Sequence, residues 1–210
     1  MDVSGLIGVL REMCRRMESE RDFLTALDNA IADGDHGINM SRGFAAVEAK
    51  LAEFADKDAG TVLKMVGVTL VSAIGGSAGP LFGTAFLRAG LVTAGRFEIS
   101  VDDFLACLGA AVEGVQQRGR AVRGEKTMLD AMIPALEAMT AARTSGGGAK
   151  AVLDAGIVAA REGVEYTKTI AATKGRASYI GARSIGHQDP GATSFAFLLE
   201  SVAAGLQGSR

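Results

Sequence analysis

The chain has 210 residues, 48% of them hydrophobic, which is enough to build a substantial core in one ordinary domain. Its 22 basic and 24 acidic residues give a formal net charge of −2, which argues against a nucleic-acid groove and against a basic membrane-surface helix. Cys14 and Cys107 lack CxxC spacing, so neither a disulfide framework nor a thiolate zinc site is indicated. The apolar run at residues 5–10 is too short for an export signal, and we expect a cytoplasmic protein.

Apolar residues recur at helical spacing along most of the chain. The stripes begin at Leu6, Phe44, Val62, Phe104, Leu153 and Phe195. The stripe that starts at Phe44 runs on through Leu51 to Phe54, and Pro134 is expected to kink a helix or mark its boundary. Strand signal is confined to residues 97–101, and no linker or repeat is present. The pattern therefore predicts an all-α single domain, residues 1–210, of about eight helices.

Residues 65–87 carry no charge and are long enough on paper to span a bilayer. Glycines 75, 76 and 79 and Pro80 interrupt this stretch at its centre, where lipid could not satisfy the freed backbone groups. We therefore predict two buried helix ends that meet at a polar loop, and no membrane span.

Three carboxylates, Asp28, Asp33 and Asp35, fall within eight residues at a predicted helix end. Carboxylate oxygens without sulfur or dense histidine favour Mg²⁺ over zinc, and a divalent cation would offset their mutual repulsion. Helix or turn capping by these aspartates is the alternative interpretation.

Gly75 to Pro80 form a glycine-rich loop directly before a predicted helix, whose N-terminal amides could bind an anion. A tight turn between packed helices is the other interpretation. The two histidines, His36 and His187, also lie in loops rich in glycine and aspartate, and phosphorylation of either is a rival hypothesis. Residues 119–127 (GRAVRGEKT) miss the P-loop pattern by one position and follow no strand, so we read that similarity as coincidence.

Residues 27–44, 75–84, 123–134 and 174–194 resemble, in the right order, the nucleotide-binding L subunit of dihydroxyacetone kinases. The last of these segments, KGRASYIGARSIGHQDPGATS, is highly specific. The resemblance implies a closed barrel of antiparallel helices, with ADP or ATP and two Mg²⁺ ions held at one end.

The resemblance also assigns roles to individual residues. Asp28, Asp33 and Asp35 would hold the metals. The phosphates would contact His36, Gly37, Ile38, Asn39, Ser77 and Ala78. Gly119, Thr127, Met128 and Arg176 would surround the nucleoside, and Asp189, Pro190 and Gly191 would close the site. The family usually has serine at position 78, so Ala78 leaves the backbone amides to make that contact.

The single-domain length resembles the separate subunit of the phosphotransferase-system-linked enzyme. In that system a phosphohistidine on a donor subunit rephosphorylates bound ADP, and ATP then phosphorylates dihydroxyacetone on a substrate-binding subunit. A nucleotide-binding subunit of an ATP-dependent kinase for a related ketose is an alternative. A nucleotide-sensing interaction module without catalysis is a second alternative.

Overall fold

The computed structural model describes residues 1–208, and the named elements of this part of the chain are all helices. The α-helices are α1 (Val3–Ser19), α2 (Arg21–Asn29), α3 (His36–Glu48), α4 (Ala59–Ala73), α5 (Ala78–Val92), α6 (Val101–Gly119), α7 (Leu129–Thr144), α8 (Ala149–Thr167) and α9 (Pro190–Gly208). Short 3-10 helices cover Leu51–Phe54 and Arg176–Ser184. The all-α prediction is confirmed for residues 1–208, where the strand signal at residues 97–101 yields only a bridge between Asp2 and Glu98.

Local side-chain caps explain where several helices begin. The Asp2 carboxylate accepts a hydrogen bond from the Gly5 amide at the start of α1, at 2.8 Å. At the start of α6, the Ser100 hydroxyl accepts from the Asp103 amide at 3.1 Å while the Asp103 carboxylate accepts from the Ser100 amide at 3.0 Å. This reciprocal arrangement is a capping box, and it satisfies two otherwise orphaned amides.

Two details differ from the sequence pattern. The stripe from Phe44 to Phe54 is divided, because α3 ends at Glu48 and a 3-10 turn follows. Leu51 and Phe54 are three residues apart, so they share one side of that tighter helix, and both are buried. Pro134 lies inside α7, so of the two expectations for this residue the helix boundary is wrong.

The helices pack in a definite order around a common core. Contacts run from α1 to α3 and then through α4, α5, α6, α7, α8 and α9 in sequence, and α9 packs back on α1. The short helix α2 lies against α3 and α9. Every α-helix contributes buried apolar side chains to the main core, including Phe44 and Met17. Consecutive helices are therefore spatial neighbours, and the connections on one side of the molecule can meet.

The uncharged stretch at residues 65–87 forms two helices rather than one. α4 ends at Ala73 and α5 begins at Ala78, with the glycine loop between them. None of the helices within residues 1–208 has the length and hydropathy needed to cross a membrane.

Candidate functional site

A cavity of about 450 Å³ opens where four helix connections meet: α2–α3, α4–α5, α6–α7 and α8–α9. Among the residues predicted to form the site, those that line the cavity are Asp28, Asp33, Asp35, His36, Asn39, Ser77, Ala78, Gly119, Thr127, Met128, Arg176, Asp189, Pro190 and Gly191. Gly37 and Ile38 are not among the lining residues. Gly37 is buried against Thr25 and the Arg21 carbonyl of α2, and Ile38 is 52% exposed.

The three aspartates of the α2–α3 connection converge. One carboxylate oxygen from each of Asp28, Asp33 and Asp35 lies within 4.8 Å of the other two. Asp28 is buried, and its Oδ2 accepts hydrogen bonds from the amides of Asp35 at 2.9 Å and His36 at 3.1 Å. Burial raises the pKa of Asp28, and the negative charges of Asp33 and Asp35 act in the same direction. Because three hard carboxylate oxygens converge here and their negative charges repel one another, the cluster fits Mg²⁺.

The capping interpretation holds for one member of this cluster. Asp28 accepts from the first amides of α3, whereas the Asp35 side chain caps nothing. Asp33 Oδ2 lies 2.7 Å from the Arg176 guanidinium, and this ion pair connects the carboxylate cluster to the 3-10 helix Arg176–Ser184.

His36 lies in the cavity wall, with Nε2 at 2.8 Å from the Ser194 hydroxyl of α9. Burial lowers its pKa to about 4, so the ring is neutral at physiological pH. The contact of Nε2 with Ser194 fixes the ring in the cavity wall, an arrangement that suits a binding role. His187 is exposed and does not line the cavity.

The glycine loop leaves the start of α5 open to the cavity. Gly76 has a left-handed φ of 64°, and Ser77 at the N-cap makes no side-chain capping bond. The first amides of α5 therefore have no side-chain cap, and a helix N-terminus of this kind is suited to an anion. Nearby, Asn39 Oδ1 accepts from the Arg42 guanidinium at 2.6 Å, which leaves the amide nitrogen of Asn39 free to donate.

The α6–α7 connection forms a less polar wall. Thr127 and Met128 line the cavity beside the apolar side chains of Leu81 and Val115. The loop is held from behind by Asp130, whose buried carboxylate accepts from the amides of Gly124 at 2.5 Å and Thr127 at 2.8 Å. This wall has the apolar surface that a nucleoside needs.

The α8–α9 connection brings a further acidic residue, Asp189, to the site. Asp189 Oδ2 accepts from the Ala192 amide at 2.7 Å and so caps α9. Burial raises the pKa of Asp189 to about 7, and the negative charges of Asp130 and Asp28 contribute in the same direction. The Asp189 amide donates to the Thr167 hydroxyl at 2.9 Å, which ties this wall to the end of α8.

Sequence reasoning missed several residues that build the walls: Arg42, Lys126, Asp130, Thr167 and Ser194. Lys126 is 1% exposed, and its ammonium donates to main-chain carbonyls 41 to 61 residues away. Every residue has a main-chain carbonyl, so residue types cannot predict which carbonyls bind this lysine. In the sequence, only the near match to a P-loop singles out Lys126.

Comparisons with known proteins agree with this architecture. A family model described as the DAK2 domain matches residues 30–204. The chain is 44% identical over 185 residues to the "PEP-dependent dihydroxyacetone kinase, ADP-binding subunit DhaL" of Escherichia coli (strain K12), covering 88% of each chain. It is 37% identical over 209 residues to the "PEP-dependent dihydroxyacetone kinase 2, ADP-binding subunit DhaL" of Listeria innocua, covering 99% of this chain and 96% of that one.

The fold also matches a solved structure, that of the dihydroxyacetone kinase from C. freundii in complex with AMP-PNP and Mg²⁺. The TM-score is 0.71 at 24% identity, over 94% of this chain and 33% of that one. At this level of identity the match concerns the fold, and the chain spans about a third of the crystallised kinase.

Proposed function

Because this chain belongs to the DAK2 domain family, we propose that it is the ADP/ATP-binding subunit of a multi-subunit dihydroxyacetone kinase. The observation that carries the proposal is the convergence of three carboxylates, an uncapped helix N-terminus and an apolar wall on one cavity. These are the parts that a nucleotide requires: sites for cations, donors for phosphates and a surface for the base.

We propose that Asp28, Asp33 and Asp35 hold two Mg²⁺ ions with the nucleotide, and the convergence of their carboxylate oxygens supports this role. Bound Mg²⁺ would neutralise the charge that develops on the phosphoryl oxygens. Asp28 has one carboxylate oxygen committed to the α3 amides, so its other oxygen is the one available to a cation.

We propose that the N-terminus of α5 and the side chain of Asn39 contact the phosphates. The amides of Ser77 and Ala78 and the Asn39 side-chain nitrogen supply donors on neighbouring walls. Gly119, Thr127 and Met128 would pack against the nucleoside, with Arg176 and the turn at residues 189–191 closing the opening. For Gly37 and Ile38, a backbone contact to phosphate remains a prediction.

The chemistry proposed is phosphoryl transfer in two steps. A phosphohistidine nitrogen of a donor subunit gives its phosphoryl group to the β-phosphate oxygen of bound ADP, which forms ATP. ATP then gives its γ-phosphoryl group to a hydroxyl oxygen of dihydroxyacetone held on a substrate-binding subunit, the hydroxyl proton leaves, and ADP is regenerated. Such a reaction depends on alignment and charge stabilisation, so this chain needs no nucleophile of its own.

We also infer that eight of the helices close into a barrel, with residues 1–210 acting as one nucleotide-binding domain. The circular order of contacts, from α1 through α3 to α9 and back to α1, supports the closure. Short connections such as that from Ala73 to Ala78 favour antiparallel neighbours, which places alternate connections at the same end.

Identification of the nucleotide released by denaturing freshly purified protein tests the proposal. Tightly held ADP, retained only with Mg²⁺, supports the cofactor role. An empty site that exchanges ATP rapidly would indicate a subunit of an ordinary ATP-dependent kinase for this or a related ketose. A protein that binds neither nucleotide would contradict both.

A further inference from the structure

Lys126 occupies an unusual position for a lysine. Its side chain is 1% exposed, and its backbone has a left-handed φ of 61°, which a non-glycine residue seldom adopts. No ion pair among residues 1–208 involves its ammonium. Burying an ammonium costs free energy unless its donors are satisfied, so the groups around it should explain its presence.

The ammonium has three N–H donors and meets three carbonyl acceptors. Nζ lies 2.6 Å from the Thr167 carbonyl oxygen and 3.4 Å from that of Ile170, and it also donates to the His187 carbonyl. An ammonium can donate three hydrogen bonds and accept none. Its capacity is therefore filled by main-chain groups, and no donor remains for a phosphate, although the side chain borders the cavity.

The acceptors and the lysine belong to different connections between helices, and both connections border the cavity. Thr127 and Met128, which follow Lys126 directly, line the α6–α7 wall. The His187 carbonyl lies two residues before Asp189, and the Thr167 hydroxyl accepts from the Asp189 amide at 2.9 Å. One buried cation thus joins the predicted nucleoside wall to the turn that closes the site.

We propose that Lys126 is a positioning residue that fixes the α6–α7 wall against the α8–α9 wall, so that the cavity is preformed for the nucleotide. The proposal rests on the proposed function for the identity of the ligand. It also assigns the lysine of the P-loop-like segment a role different from that of a P-loop lysine, because the ammonium binds carbonyls instead of phosphate.

The first test measures the walls without any nucleotide. Lys126→Met keeps an unbranched side chain and removes the charge and the donors. Amide hydrogen exchange is expected to become faster both at residues 124–128 and at residues 186–191. Lys150→Met makes the same chemical change on the exposed surface of α8 and should alter neither segment. Unchanged exchange at either segment in Lys126→Met would overturn the proposal.

The second test compares affinities for adenosine and for ADP with Mg²⁺. A residue that shapes both walls should weaken the two affinities by the same factor, about tenfold or more, as when residues that orient binding groups are removed. Loss confined to ADP would instead make Lys126 a phosphate ligand. Unchanged affinities with a lowered melting temperature would make its role purely structural. Either result would overturn the proposal.

A milder variant keeps the test decisive if Lys126→Met does not fold. Thr167→Val retains the carbonyl that Lys126 binds and removes the hydroxyl, which accepts from the Asp189 amide and donates to the Val164 carbonyl within α8. We expect faster exchange at residues 187–191 alone, with a smaller and equal loss of both affinities. Unchanged affinities would contradict the proposal. If the wild-type chain binds no ADP, the proposed function fails, while the exchange experiment still tests the link between the walls.

Discussion

Under the proposed metal assignment, Mg²⁺ binding should depend most on Asp33 and Asp35, because one oxygen of Asp28 already accepts from the amides of Asp35 and His36. Asp33→Asn and Asp35→Asn should each lower the Mg²⁺-dependent affinity for ADP by about tenfold or more, since each removes a hard anionic ligand. Isothermal titration with ADP, with and without Mg²⁺, measures the effect.

Stability should hardly change in these variants. The ion pair of Asp33 with Arg176 is substantially exposed, and such pairs contribute less than about 1 kcal/mol to the free energy of unfolding. Asp154→Asn, at an exposed position on α8, is the matched control and should bind ADP normally. Full Mg²⁺-dependent affinity in both site variants would refute the metal assignment.

Asp189 should make stability depend on pH. Its pKa is raised to about 7 in the folded protein from the ordinary 3.8, mainly by burial. Between these values the folded state holds a proton that the unfolded state releases, so this group's contribution is full at low pH and is lost as pH rises through about 7.

Asp189→Asn removes this dependence and keeps an oxygen for the Ala192 amide. Relative to the wild type, its free energy of unfolding should rise from pH 5 to pH 7, by up to about 1.4 kcal/mol per pH unit. Urea titrations at several pH values, without Mg²⁺ or nucleotide, measure the difference. A difference that is constant with pH would show that the carboxyl is ionised throughout.

Residue types and spacing predicted the acidic cluster but not the groups that support it. Asp28, Asp33 and Asp35 are close in the chain, so their convergence is a local property. Asp130 and Lys126 could not be singled out in the same way, because their burial follows from the packing of α7 and α8. Gly37 and Ile38 show the opposite case: they match the motif, yet neither borders the cavity.

At the scale of helices, the contact of α7 with α8 depends on a missing side chain. A Cβ at Gly163 of α8 would lie 2.8 Å from the Ala131 Cα of α7 and would also meet the Asp130 carbonyl. Gly163→Ala should therefore destabilise the fold by about 1–3 kcal/mol, because backbone atoms cannot yield as a flexible side chain can.

Gly109 supplies the matched control for that change. It lies within α6, and a Cβ there would meet nothing within 4 Å. Gly109→Ala should raise stability by up to about 1 kcal/mol, since alanine has the higher helix propensity. Denaturant unfolding of both variants measures the contrast. Equal effects of the two substitutions would contradict the close approach of α7 and α8.

Helix starts were more predictable than helix ends. The start of α6 is indicated by Ser100 and Asp103, which form a capping box. The start of α9 is indicated by Asp189 as the capping residue and Pro190 as the first helical residue. The end of α3 at Glu48 has no such signal, because Leu51 and Phe54 continue the apolar stripe and stay buried in a 3-10 turn. Whether a stripe continues as an α-helix there is decided by tertiary packing.

At the scale of the whole molecule, the site forms because four connections between helices meet at one cavity. The α2–α3, α4–α5, α6–α7 and α8–α9 connections each supply one wall of the cavity. Composition and spacing indicate the aspartate, glycine and histidine loops separately, whereas only the resemblance to a kinase subunit adds the α6–α7 connection and brings the four together. The order of helix contacts supplies the physical reason, because helices that follow one another in the chain are also packed side by side.

The most direct measurement follows a labelled phosphoryl group through a reconstituted kinase. The chain, loaded with Mg²⁺ and ADP, is mixed with a radiolabelled phosphohistidine donor subunit, a substrate-binding subunit and either dihydroxyacetone or erythrulose. We predict that label passes to the nucleotide retained on this chain and then to dihydroxyacetone, and that Asp33→Asn blocks both transfers. Label that reaches dihydroxyacetone without this chain, or that stays on the donor when the chain is present, would contradict the account.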